Sequence, residues 1–173
     1  MLDSGRQFVQ VCAEVLPLRT PIYEFGSYLV PDQDVDADLR PLFPGRQFVG
    51  ADMRLGPGVD EVLDLHDLAL SDGAVGSAIL IDTLEHVERP WQAIAELYRV
   101  LSDDGIVVLT APFNFPIHSH PNDYWRFTQE AVQSLLHFGF GQLQVSHRGG
   151  AQAVELVGVV HNSGIATLLH VGQ

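Results

Sequence analysis

The run Val75-Gly76-Ser77-Ala78-Ile79-Leu80-Ile81-Asp82 decides the fold class. Its apolar character, interrupted only by the small Gly76, Ser77 and Ala78, suits a strand buried on both faces, as parallel sheets require. A carboxylate, Asp82, closes it. Downstream, Pro90 sits where the first turn of a helix tolerates proline. Trp91, Ile94, Leu97, Tyr98 and Leu101 then repeat at helical spacing until Asp103-Asp104-Gly105 breaks the pattern. Ile106 to Ala111 is the next strand. Upstream, Gln47 to Asp52 and Asp60 to Asp64 read as strands on either side of a Gly56-Pro57-Gly58 turn, each ending on an acid. Ile22-Tyr23-Glu24-Phe25 is a first strand that runs into a tight turn at Gly26-Ser27. Asp34 to Leu42 carries a weaker helical pattern, closed by Pro44-Gly45. At the start, Ser4 can cap a helix that sets Phe8, Val9, Val11, Cys12, Val15 and Leu16 on one broad face and stops at Pro17.

Strands alternating with helices at this spacing predict a doubly wound parallel sheet with its sites at the carboxyl ends of the strands, where the acids lie. Beyond Pro112, a loop from Phe113 to Phe127 is rich in His, Pro and aromatic residues. A helix from about Gln129 to His137 and a strand from about Gln142 to His147 come next. From Ala151 to Val160 the valines suit a strand, whereas the spacing of Val154, Val157 and Val160 suits a helix, and the expectation here is helix. The chain shows no internal repeat or linker and divides into an N-terminal helix (1–17), a core (22–111) and a substrate-side loop with C-terminal elements (112–173), within one domain over 1–173.

Twenty-two acidic residues against nine basic ones give a formal charge of −13, and every basic residue is Arg. Such a surface repels phosphate backbones, so nucleic acid is not an expected partner. Cys12 is the only cysteine, so no intramolecular disulfide can form, and a cytoplasmic address is expected. No apolar segment approaches the length needed to cross a bilayer, and Met1-Leu2-Asp3-Ser4 does not begin a secretory leader, so no membrane partner is expected.

The Gly26-Ser27 turn at the end of the first strand lets backbone approach a ligand closely, although an isolated Gly-Ser is also an ordinary turn. Asp52 ends the second strand, where a carboxylate can accept both hydroxyl protons of a ribose; a strand-terminal Asp is equally a common turn-former. The three-glycine dinucleotide fingerprint is absent, which disfavours a nicotinamide cofactor. His86, His118 and His120 are candidate proton acceptors because imidazole titrates near neutral pH. For His86 the competing reading is a helix-entry residue bonded to backbone, and for the other two it is a solvated loop. Tyr124, Trp125 and Arg126 could clamp an acceptor, the Arg suiting a phosphate or carboxylate. His118, His120 and Asp123 have a spacing that could ligate a metal, but no fourth ligand is evident and no metal is expected.

Glu24-Phe25-Gly26-Ser27, Asp52, Asp64-Leu65-His66-Asp67-Leu68, Leu84-Glu85-His86-Val87, Glu96-Leu97-Tyr98-Arg99-Val100-Leu101 and Asp104-Gly105 stand in an order that resembles the S-adenosylmethionine-dependent methyltransferase superfamily. The resemblance runs from about Ile22 to Phe140. It implies a Rossmann-like, mainly parallel sheet flanked by helices, with the usual C-terminal antiparallel strands reduced or missing. It also implies S-adenosylmethionine as cofactor and methyl transfer to an oxygen or nitrogen of a small metabolite, such as a sugar or nucleotide derivative. A homodimer is compatible with it. By position, Glu24, Gly26, Ser27 and Tyr28 would line the amino-acid part of the cofactor, Asp52 would hold the ribose and Met53 would pack on adenine. Asp67 and the Leu68 backbone would read the adenine edge, while Asp82 and Thr83 would flank the methionine. His86, His118 and Tyr124 would be catalytic, and His120, Asp123, Trp125 and Arg126 would meet the acceptor. The chain departs from the family at Tyr28 and Val30, which stand where glycines are usual and narrow the backbone's path past the cofactor. Alternatives that keep the fold are non-methylating chemistry on a nucleoside intermediate and a non-catalytic binding role.

Overall fold

The computed structural model describes residues 3–30, 37–119, 121–140, 145–150, 153–158 and 160–161. Its elements in chain order are α1 (Asp3–Val15), β1 (Ile22–Phe25), β2 (Phe48–Asp52), β3 (Glu61–Val62), β4 (Val75–Leu80), α2 (Pro90–Val100), β5 (Leu101–Leu109), α3 (Gln129–Phe140), β6 (Val145–Gly150), β7 (Ala153–Gly158) and β8 (Val160–His161). Short 3-10 turns stand at Arg40–Leu42 and Leu84–His86. One sheet runs in the order β3-β2-β1-β4-β5-β8, parallel throughout except for the antiparallel edge strand β8.

β4 is the reason the sheet is parallel and central. All six of its residues are buried, and their alternation feeds two cores. Ile79 and the following Ile81 face one side with Ile22, Ile106 and Val108, closed by Phe8, Val9 and Cys12 of α1 and by Leu39 and Phe43. Ala78 and Leu80 face the other with Phe25, Val107 and Leu109, closed by Ile94 and Leu97 of α2 and by Val132 and Leu136 of α3. The result is a helix–sheet–helix sandwich. Each fully buried Leu or Ile contributes roughly 1.5–3 kcal/mol of apolar transfer to it.

Pro90 is the first residue of α2, as its missing N–H favours. The Asp103-Asp104-Gly105 break sits inside β5 rather than before it. The pairing with β4 steps from Val75↔Leu101 to Ser77↔Ile106, so the three residues form an irregularity in the strand. Gly105 is required there, since a Cβ would lie 2.5 Å from Leu101 Cγ.

Two expectations need correction. Residues 153–158 are a strand and not a helix: β6 and β7 form an antiparallel hairpin pairing Val145 with Gly158 through Gly150 with Ala153. Valine spacing at three residues cannot distinguish the two states, and the Gly149-Gly150 before it serves the hairpin. The C-terminal antiparallel strands are therefore present in reduced form, as this hairpin and the two-residue β8. Of the helical pattern over 34–42, the described residues hold 3-10 structure at Ala37 and at the turn Arg40–Leu42, and no α-helix.

Candidate functional site

β1, β2 and β4 all deliver their carboxyl ends to one cavity of about 390 Å³. At the end of β1 the chain turns through Gly26 at φ +88°, a conformation that favours glycine. A Cβ there would stand 2.5 Å from Thr83 Oγ1, because the Thr83 hydroxyl shares its proton between the carbonyls of Phe25 and Ile81 at 3.1 Å each. Two loops are thus locked against each other through backbone. Next to this lock, the buried Ser27 Oγ borders the cavity with no partner in the protein.

Asp52, at the end of β2, is 8% exposed and lines the cavity. Its Oδ1 accepts from Arg54 N (2.9 Å) and Arg54 Nε (3.2 Å), which fixes the carboxylate at the rim. The Arg54 guanidinium lies 4.3 Å over the Tyr28 ring. Tyr28, in place of a glycine, is accommodated by Gly56, where a Cβ would collide with the ring. The bulk therefore folds against the 54–56 turn and forms a wall of the cavity instead of blocking it. Asp82, at the end of β4, adopts φ +48°, which Asp tolerates at some strain. The Thr110 hydroxyl holds it there, donating to Asp82 Oδ1 (2.9 Å) and accepting from Asp82 N (3.1 Å).

Glu24, Gly26, Ser27, Tyr28, Asp52 and Met53 all border this one space. So do Asp82, Thr83, His86 and His118. Asp67 and Leu68 do not: Leu68 is buried in the core and its N–H donates to Glu96 Oε2 at 2.9 Å. Glu96 and Arg99 use α2 to anchor this loop, with Arg99 donating to the carbonyls of Leu68 and Leu70 at 2.8 Å each. Asp64, Leu65 and His66 stand at the cavity in place of Asp67 and Leu68. His66 is itself held at both ring nitrogens, by Asp64 Oδ1 (2.7 Å) and Arg89 N (3.2 Å).

Arg126 is a brace and not a clamp for an acceptor. Its guanidinium grips both oxygens of Asp123 (2.5 and 2.7 Å) and donates to the carbonyls of Phe115 (3.0 Å), Pro116 (3.0 Å) and Trp125 (2.6 Å). That guanidinium holds the Asp123 carboxyl well below the usual carboxylate range. Trp125 donates from Nε1 to Val87 O (2.9 Å) and meets Trp91 edge to face at 6.3 Å. The backbone N–H groups of Tyr124 and Trp125 both donate to Glu85 O (2.8 and 3.2 Å). Asp123 and Arg126 thus brace the loop internally, Tyr124 and Trp125 tie it to residues 85–87, and all four lie off the cavity lining. His120 lies outside the described residues.

The residue that sequence reasoning passed over is Glu85. It is 1% exposed, borders the cavity, and neither carboxyl oxygen has a hydrogen-bond partner. Burial first, then the charge of Asp82, push its pKa up to about 8. Glu24 is likewise pushed up to about 8, by burial and by Asp38, against the pull of Arg40 and Arg6. The available signal was position, since Glu85 stands five residues after a doubly buried strand and directly before His86. His86 itself reaches Asn122 O through Nδ1 at 2.5 Å, and its ring meets that of His118 edge to face at 4.7 Å.

Residues 48–109 match the methyltransferase domain family. A curated relative, an uncharacterised 37.1 kDa protein of transposon Tn4556 from Streptomyces fradiae, is 28% identical over 123 residues, 64% of this chain. The chain spans about a third of that relative's length, 36%. Among solved structures, 1,6-didemethyltoxoflavin-N1-methyltransferase of Burkholderia thailandensis, with its substrate and S-adenosylhomocysteine bound, superposes at a TM-score of 0.63 and 14% identity. The superposition covers 91% of this chain and 77% of that one. A SAM-dependent methyltransferase of Thermotoga maritima gives 0.60 at 15% identity over 91% and 92%. The [4+2]-cyclase SpnF gives 0.57 at 18% identity over 82% and 58%. Sheet order, the likeness to these solved structures and a cavity at the carboxyl ends of the strands give the chain the class I methyltransferase fold, with the family match confined to residues 48–109.

Proposed function

We propose that the cavity holds S-adenosylmethionine and that the chain transfers its methyl group to an oxygen or nitrogen of a small metabolite. The observation that carries this reading is the convergence of the Gly26 turn, Asp52 and Asp82 on one space. The residues present suit the group. The glycine leaves backbone accessible, the unpartnered Ser27 hydroxyl needs a polar neighbour, and Asp52 offers a carboxylate to accept from a ribose diol. Glu24 and Asp82 would face the amino-acid end. Met53, with the Asp64–His66 segment in place of Asp67 and Leu68, would border adenine. Once bound, the sulfonium supplies a methyl group that is already activated.

The protein's own part is to align the acceptor and take its proton. His86 is the residue for this. Its Nδ1–H donates to Asn122 O, which sets Nε2 as the proton-accepting nitrogen beside the cavity. His118 stands next to it, while Tyr124 and Arg126 act by fixing the loop. The strongly acidic surface favours a small acceptor, a sugar or nucleotide derivative among them, over a nucleic acid. One domain over 1–173 and a cytoplasmic address belong to the same reading. No helix among the described residues is long and apolar enough to cross a membrane.

Titration calorimetry with S-adenosylhomocysteine tests the reading. Heat of binding that saturates at one equivalent is expected, and its absence from a chain with an intact fold would refute the proposal. A second reading, non-methylating chemistry in the same cavity, draws on the structural likeness to a [4+2]-cyclase. It is distinguished by mass spectrometry of the product, which carries one added methyl group under the first reading and none under the second.

A further inference from the structure

Glu85, His86 and His118 offer one carboxylate oxygen and two imidazole nitrogens that all lie within 4.8 Å of one another at the edge of the cavity. Glu85 Oε1 is 3.8 Å from His86 Nε2. Donor atoms that share a first-row metal at ~2.0–2.2 Å lie roughly 3–4 Å apart, so a shift of about an ångström would close the set. Two further features are those of a built site. Both histidines have their other nitrogen engaged: His86 Nδ1 with Asn122 O at 2.5 Å, and His118 Nδ1 with Pro116 O at 3.2 Å and the Asp123 carboxylate at 3.1 Å. A carbonyl or carboxylate behind a ligating histidine fixes its tautomer and turns the opposite nitrogen toward the metal. Asp123 is in turn held by Arg126, so the outer support is rigid. The second feature is Glu85, a carboxyl buried to 1% exposure with neither oxygen hydrogen-bonded, a costly arrangement that a neighbouring cation would offset.

We propose that Glu85, His86 and His118 form a binding site for one divalent first-row transition metal, with open coordination positions directed to the cavity. Two imidazoles and one carboxylate with vacant positions suit Zn²⁺ or Fe²⁺ rather than Mg²⁺ or Ca²⁺, which prefer all-oxygen sets. The inference deepens the methyltransferase reading and rests on it for its chemical purpose. With the metal bound, His86 Nε2 serves as its ligand in place of taking the acceptor's proton directly; the metal would take the acceptor's hydroxyl as a ligand and lower its pKa, so that the proton leaves to solvent. The oxygen then forms its bond to the methyl carbon as the carbon–sulfur bond breaks, and the sulfonium donor leaves as a neutral thioether holding the electron pair. No electron is gained or lost, so no oxidant or reductant is needed.

The test is titration of the chelator-treated chain, free of any polyhistidine tag, with Zn²⁺ by calorimetry and with Co²⁺ by visible absorption. One equivalent bound at micromolar or tighter affinity is expected. Glu85→Gln and His118→Asn should each weaken it at least tenfold, with unchanged far-ultraviolet circular dichroism. His147→Asn, on the β6–β7 hairpin, should leave it intact. Absence of stoichiometric binding, or binding indifferent to both site variants, overturns the inference. S-adenosylhomocysteine is titrated separately into the wild-type chain without metal. Failure there removes the methyltransferase reading whatever zinc does, and success there with no metal bound removes only the metal site.

Discussion

Gly26 and Asp52 are the two residues whose substitution separates architecture from ligand chemistry. Gly26→Ala places a methyl group 2.5 Å from Thr83 Oγ1 in a backbone held at φ +88°. The expected cost is about 1–3 kcal/mol, read as a lower denaturant midpoint. Thr83→Ala in the same chain should recover part of it, because the clash is with that side chain, though the strained φ remains. Asp52→Ala leaves the apolar core intact but removes the acceptor of Arg54 N and Nε, and should lower stability by about 0.5–1.5 kcal/mol. It removes a carboxylate that would hold two hydroxyls, and charged hydrogen bonds are worth about 1.5–3 kcal/mol, so S-adenosylhomocysteine affinity should fall by roughly ten- to a hundredfold. Equal affinity in calorimetry would mean that Asp52 only anchors Arg54. Position in sequence placed Asp52 correctly at the cavity because a strand end has nowhere else to go. Asp67 and Leu68 lie off the lining, because the bridge pairing Asp64 with Asp67 turns the chain there, leaving Asp67 exposed and Leu68 in the core.

Among the elements, α2 shows how a motif can be legible while its purpose is not. The Glu96-to-Leu101 segment is readable as a helix from its apolar spacing, but the sequence does not say what its charged pair holds. In the fold, Arg99 bonds Glu96 at both oxygens (2.9 and 2.7 Å), Asp72 at 2.8 Å and two loop carbonyls. A planar fork can make this set and an ammonium cannot. Arg99→Lys should therefore lower the thermal midpoint nearly as far as Arg99→Ala, and hydrogen exchange should quicken at 68–73 while β4 stays protected. A lysine variant with wild-type protection in that loop would show the fork to be dispensable. The 113–127 loop obeys the same rule, since its His and Arg content suggested recognition, yet Arg126, Asp123 and His118 bond within the loop itself, while Asn122, Tyr124 and Trp125 attach it to residues 85–87. The sheet itself was legible throughout from β1 to β5, because continuous apolar runs bounded by Gly, Pro and Asp have one interpretation. The β6–β7 hairpin was not, because its valines satisfy two periodicities and only pairing across the turn decides between them.

For the molecule as a whole, two buried carboxyl groups that border the cavity set the pH response of stability. Glu24 is pushed from 4.5 to about 8 and Glu85 likewise to about 8, in both cases chiefly by burial. Between those values the native state retains a proton that the unfolded chain has released. Their contribution is full below the unfolded value, declines as pH rises through that window and is flat above it. Each can tilt stability by at most ~1.4 kcal/mol per pH unit, and the salt-bridged acids Asp60, Glu96 and Asp123, whose pKa values are lowered, exert their opposite effect below this window. Calorimetric midpoints should thus fall as pH is raised from about 5.5 to about 8, the window those two groups define. Glu24→Gln keeps the shape and removes one titration, so it should flatten the decline by about half and leave the variant more stable than the parent at the upper end of the window, with little difference at the lower end. A midpoint that rises with pH in the parent, or a decline unchanged by Glu24→Gln, would mean that water or a counter-ion reaches these carboxylates in the folded chain.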